Sequence, residues 1–125
     1  MKLIDTSSWI EQLHSGGDRV VRERVEALLL SGEAAWCPVV RLELWNGARG
    51  ERERAALTAI EKEIVPLDIV PPVWNDAVQL ARAARARGVT VPATDLVVAA
   101  CARHHGVPIE HADAHFDLIA ALQAE

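Results

Sequence analysis

The 125 residues predict an α/β fold built on a mostly parallel sheet. Short apolar runs alternate with longer amphipathic segments from one end of the chain to the other, the order that right-handed crossovers between parallel strands produce. Ala, Val and Leu dominate the apolar half of the composition, and four of the five aromatics are Trp. Such a chain suits helices packed on a sheet better than a β-sandwich. Residues 1–125 show no repeat, low-complexity stretch or linker, so a single domain is expected.

The elements follow in order. Lys2 to Asp5 reads as a short buried strand, and SSWIEQLH as a helix capped by its hydroxyls. Asp18 can cap a second helix with Val20, Val21, Val25, Leu28 and Leu29 at helical spacing, stopped by Ser31-Gly32. AAWCP is the second strand, and VVRLELWNGA a helix with Val39, Leu42 and Leu44-Trp45 near one face. Arg52 to Glu63 is amphipathic. IVPLDIV carries Pro66, which confines it to an edge or a short strand. Pro72 to Arg87 is a long helix with Gly88 as its stop. VPATDLVVAACARHHG is a Pro- and Thr-capped helix, apolar nearly all round and therefore central. VPIEHAD is the last strand and AHFDLIAALQ the last helix.

No apolar run is long enough to span a bilayer, and Asp5 and Glu11 interrupt any leader-like pattern, so a soluble cytoplasmic protein is expected. Cys37 and Cys101 form no CxxC unit and read as buried thiols. A net charge of −5 argues against gripping nucleic acid by bulk electrostatics. It fits an enzyme that clusters carboxylates around a divalent metal. Arg outnumbers Lys eleven to two, which suits bidentate phosphate contacts but also follows from a GC-rich genome.

Four carboxylates carry the chemistry. Asp5 ends the first strand and Asp113 the last, and in a parallel sheet the carboxyl ends of strands line the ligand crevice. Asp95 sits in the first turn of the buried helix, and Glu43 early in the helix after the second strand, so both can face the same edge. Together they would repel unless a hard cation such as Mg²⁺ joined them. The chemistry suited to that site is metal-assisted hydrolysis of a phosphodiester. Taken singly, each has a plainer reading: Asp5 as a helix cap, Asp95 as a charge at a helix dipole, Glu43 as a solvated helix residue, Asp113 as a turn residue.

DTSSWI, VVRLELWNGA, ATDLVVAACARHHG and HADAHFDLIA, in that order, resemble the motifs of PIN-domain ribonucleases, and more closely the VapC-type toxins of bacterial toxin–antitoxin pairs. The resemblance spans nearly the whole chain. It implies a three-layer α/β/α sandwich and a Mg²⁺- or Mn²⁺-dependent endoribonuclease. It also implies a VapB-like antitoxin and a homodimer. Its acidic ligands fall on Asp5, Glu43, Asp95 and Asp113. Its hydroxyl falls on Ser7, which could orient a metal-bound water, with Thr6 and Thr94 as further helpers. Two departures stand out. His111 and His115 occupy positions where the family usually has Thr or Ser and often a further Asp, and Asp117 competes with Asp113 as the fourth ligand. The chain also ends soon after its last helix, so an edge of the sheet is expected to lie open for a partner.

Other signals are weaker. HADAH, with His104 and His105 nearby, raises a zinc site, but it straddles a strand end and a helix start. Its histidines are read as facing solvent or substrate. Arg41, near Glu43, could steer phosphate. Arg82, Arg85 and Arg87 complement a helix C-terminus or contact an RNA backbone. Most of the Trp residues are expected in the core, with Trp45 the exception if its helix lines an interface. Two rivals remain. A haloacid-dehalogenase-like phosphatase would need a second Asp where Ser7 stands, and a Lys near the phosphate. A non-catalytic PIN-like binding module would normally have lost acids.

Overall fold

The computed structural model describes residues 1–124. Its elements are β1 (Lys2–Ile4), α1 (Thr6–Leu13), α2 (Arg19–Leu30), β2 (Ala34–Trp36), α3 (Pro38–Gly47), α4 (Gly50–Glu61), β3 (Val65–Pro66), α5 (Pro71–Ala86), α6 (Ala93–His104), β4 (Ile109–Glu110) and α7 (His115–Gln123). The four strands run in the order β3-β2-β1-β4 and pair in parallel throughout. Helices flank this central sheet in a three-layer α/β/α arrangement.

The strand order decides where a site can form. β2 and β3 are added on one side of β1, and β4 on the other. The chain therefore changes direction between β1 and β4, and in an open parallel sheet the crevice beyond the strand ends lies at such a switch point. Asp5 follows β1 directly, and the 111–114 link follows β4 directly.

Leu3 and Ile4 are fully buried at the centre of the sheet and share the core with Val98, Ala100 and Cys101 of α6. α6 buries eight consecutive residues, Asp95 to Ala102, as its all-round apolar sequence requires. Trp9 and Trp36 meet edge to face at 6.3 Å in the core. The exposed Trp is Trp74, whereas the half-buried Trp45 donates its Nε1–H to Glu61.

Several expected boundaries move for local reasons. The first helix is capped by the carboxylate of Asp5, which accepts the Ser7 N–H, and not by the hydroxyls. Thr94 does not cap α6, which starts at Ala93 after Pro92 and leaves Thr94 exposed in the first turn. The helix before β3 begins at Gly50, whose φ of 76° lets the chain turn out of α3. β4 ends at Glu110, three residues short of Asp113. Pro66 lies on the edge strand, as its missing N–H demands. The opposite edge, β4, pairs only with β1 among the described residues.

Candidate active site

Asp5 is 3% exposed at the end of β1. Its N–H donates to the Glu110 carbonyl at 2.9 Å, the last rung joining β1 to β4. Its Oδ2 accepts both the backbone N–H of Ser7, at 3.0 Å, and the Ser7 hydroxyl, at 2.7 Å. Cap and site are thus one residue. Oδ2 closes the first turn of α1, and this holds the carboxylate in one orientation over the strand end. The Ser7 hydroxyl in turn accepts the Ala112 N–H at 3.0 Å. Ser7 therefore ties β1 to the link that carries Asp113.

That link corrects the expectation that Asp113 ends the last strand. After Glu110 the backbone leaves the sheet, because the next available donor, Ala112 N–H, turns to Ser7. Asp113 then accepts the His115 N–H on Oδ1 at 2.9 Å, across the start of α7. It sits in a turn and still faces the crevice. Asp117 lies beyond it, largely exposed, with its Oδ1 3.8 Å from His111 Nε2.

Asp95 reaches the same place from the first turn of α6 and is buried. Burial raises its carboxyl pKa to about 6; the charges of Asp5 and Asp113 push the same way, while His115 pulls it down. Three carboxylates from three distant segments thus share one electrostatic field, an arrangement like charges adopt only with a cation to join them or a proton to spare.

The tightest grouping is Asp95, Asp113 and His115, whose ligating atoms all lie within 4.8 Å of one another. Nδ1 of His115 is 3.2 Å from Asp95 Oδ2 and 3.2 Å from Asp113 Oδ1. Reading the HADAH histidines as solvent- or substrate-facing missed this residue. The signal was present: His115 opens α7 two residues after Asp113, where a family carboxylate often stands. The sequence also passed over Glu110, buried at the end of β4. It is bound by Arg24 through Nε at 2.7 Å and Nη2 at 3.2 Å, and by the Ser8 hydroxyl at 3.2 Å.

Glu43 stands apart from the three-donor group. It is half-buried in the middle of α3, and its Oε1 accepts the Thr6 hydroxyl at 2.8 Å. Thr6 adjoins Asp5, so the bond orients Glu43 from the first turn of α1. A cavity of about 440 Å³ opens beside this pair, lined by Ile10, Leu44, Gly47 and Leu57 among others. Arg41 is directed elsewhere. Its Nε donates to Glu61 at 2.6 Å, because two residues along a helix is a rotation of about 200°.

Oxygen donors from Asp5, Asp95 and Asp113, whose burial and mutual repulsion raise the Asp95 carboxyl pKa to about 6, match the donor set of a divalent cation. A nuclease of the PIN type is the class that this fold and edge define. The PIN domain model matches residues 2–122. The VapC ribonuclease Mb1587 of Mycobacterium bovis is 35% identical over 98% of this chain and 93% of its own length. Among solved structures, VapBC2 from Rickettsia felis, bound to a DNA fragment from their promoter, superimposes with a TM-score of 0.77 at 13% identity, covering 94% of this chain and 92% of its own. FitAcB from Neisseria gonorrhoeae gives 0.73 at 20% identity, covering 97% of this chain and 94% of its own. The chain belongs to the PIN-domain family, among the VapC ribonucleases.

Proposed function

We propose that this chain is the toxin of a type II toxin–antitoxin pair, a single-domain endoribonuclease that hydrolyses RNA phosphodiester bonds with Mg²⁺, for which Mn²⁺ can substitute. The observation that carries the reading is the convergence of Asp5, Asp95 and Asp113 at the switch point of the sheet. With Glu43 they form the set of residues that would hold one or two ions. A divalent cation bound there supplies Lewis acidity toward a phosphodiester oxygen and activates water as the nucleophile.

The chain's own groups do the rest. Ser7 fixes the rotamer of Asp5 and the distance from β1 to the Asp113 link. Thr6 holds Glu43 at the margin of the group, where a carboxylate can accept the proton of the attacking water. Arg85, in the last turn of α5, is joined by residues 87–92 to the helix that carries Asp95 and contacts the RNA backbone.

The antitoxin is VapB-like and neutralises the acidic crevice with a cationic side chain, its apolar neighbours entering the cavity beside Glu43. The active form is a homodimer, as the family resemblance implies. Purified protein incubated with structured RNA should cut it with Mg²⁺ and leave it intact in EDTA. The Asp5→Asn protein should fold and fail to cut. Cleavage by folded Asp5→Asn at the wild-type rate would overturn the assignment.

A further inference from the structure

We propose that His115 is a nitrogen ligand in this site, and that it makes the site prefer a first-row transition ion over Mg²⁺. The inference rests on the metal-site reading above and deepens it. The geometry carries it. Donors at right angles on an ion with bonds of about 2.1 Å lie about 3 Å apart. His115 Nδ1 stands 3.2 Å from one oxygen of Asp95 and 3.2 Å from one of Asp113, at corner spacing from both. The imidazole is held there by its backbone, since the His115 N–H is bound to Asp113 Oδ1 at 2.9 Å in the first turn of α7.

The neighbouring histidine is excluded by the same geometry. His111 turns Nδ1 to the Asp113 N–H at 3.3 Å, and its ring packs on Phe116 with centroids 5.1 Å apart. It is committed to shaping the turn.

The chemical consequence is selectivity. Mg²⁺ is a hard ion that takes oxygen and holds its waters, so a site in which one carboxylate position is an imidazole loses a charged oxygen donor for it. Transition ions gain from nitrogen in the order of their affinity for such ligands. Mn²⁺ is the weakest of that series, so a preference for Mn²⁺ is the demanding form of the test.

The experiment titrates the metal-free full chain with Mn²⁺ and with Mg²⁺ by calorimetry, and records pulsed electron paramagnetic resonance of the Mn²⁺ form. Wild-type protein should bind Mn²⁺ at least tenfold more tightly than Mg²⁺ and show ¹⁴N coupling from a directly bound imidazole. His115→Ala should lose the coupling and weaken Mn²⁺ tenfold or more, with Mg²⁺ changed less than about threefold. His115→Asp should lose the coupling, tighten Mg²⁺ and bring the two affinities together. His111→Ala should keep the coupling. Absence of ¹⁴N coupling in the wild type, or a Mn²⁺-to-Mg²⁺ ratio unmoved by His115→Asp, overturns the inference. Asp95→Asn separates it from the reading beneath it: loss of all metal binding there, with unaltered His115 variants, sinks only the role of His115, whereas wild-type binding by Asp95→Asn sinks the metal site itself.

Discussion

Asp95 shows what burial and like charge do to one side chain. Its folded pKa, raised from the ordinary 3.8 to about 6, means that the folded chain holds this proton more tightly than the unfolded chain does. The stability it contributes is complete below about pH 3.8 and is lost as pH rises through about 6. In EDTA, melting temperature should therefore fall as pH rises from about 3.8 through about 6 and level off above that, and the Asp95→Asn protein should melt higher than wild type at pH 7 and lose most of that slope. A steeper slope in the variant would show that another group controls the window. Asp113 and Asp117 are separated by a companion measurement. Asp113→Asn should melt at or above the wild type in EDTA yet gain little on adding Mg²⁺. Asp117, largely exposed, should show neither effect when changed to Asn. For scale, a ligand at about 100 times its dissociation constant adds about 2.7 kcal/mol. Loss of that gain in Asp117→Asn alone would move the fourth ligand.

Among the elements, the turn from α1 to α2 is sterically tight. A Cβ on Gly17 would sit 1.8 Å from the Glu11 carbonyl oxygen, a backbone atom that cannot swing aside. Gly17→Ala must push the two helices apart at the point where the Glu11 carboxylate accepts the Asp18 N–H. A cost of about 1–3 kcal/mol, typical of overpacking, is expected in urea titration, and an unchanged midpoint would show that the turn yields freely. A second joint binds α2 to the end of β4. Arg24 and Ser8 share the carboxylate of Glu110, which is 5% exposed. Arg24→Met strips the charged partner and should cost about 1.5–3 kcal/mol. Because Glu110 sits at the strand end that leads into the Asp113 link, the same variant should also weaken metal binding. Calorimetry reads that loss apart from global stability.

At the scale of the whole molecule, the proposed function turns on a partner. An acidic crevice at the end of a sheet is an open target for a basic segment, and among the described residues β4 pairs on one side only. Expressed alone, the active protein should arrest growth. Expressed with its proposed VapB-like antitoxin, it should co-purify with that protein and leave RNA uncut. Growth without arrest, by protein shown to cleave RNA in vitro, would count against the toxin reading. No described helix is long and apolar enough to cross a membrane.

The order of strands and helices, the parallel sheet and the candidate acids were legible in the sequence. Period and capping signals act over a few residues, and the position of Asp5 and Asp95 at element ends follows from them. The strand order, with β1 between β2 and β4, depended on which edge the last strand could reach, and that is a matter of packing across the whole chain. The same holds for the site. Local pattern put Asp113 on the strand, but a hydrogen bond from Ala112 to Ser7, 105 residues away, drew the chain off the sheet after Glu110 and swung His115 in beside Asp95. Arg41 and Glu43 looked like neighbours in sequence, yet the turn of one helix sends them to opposite sides. Sequence determined which residues could serve; only the tertiary structure, through contacts between segments far apart in the chain, decided which of them meet.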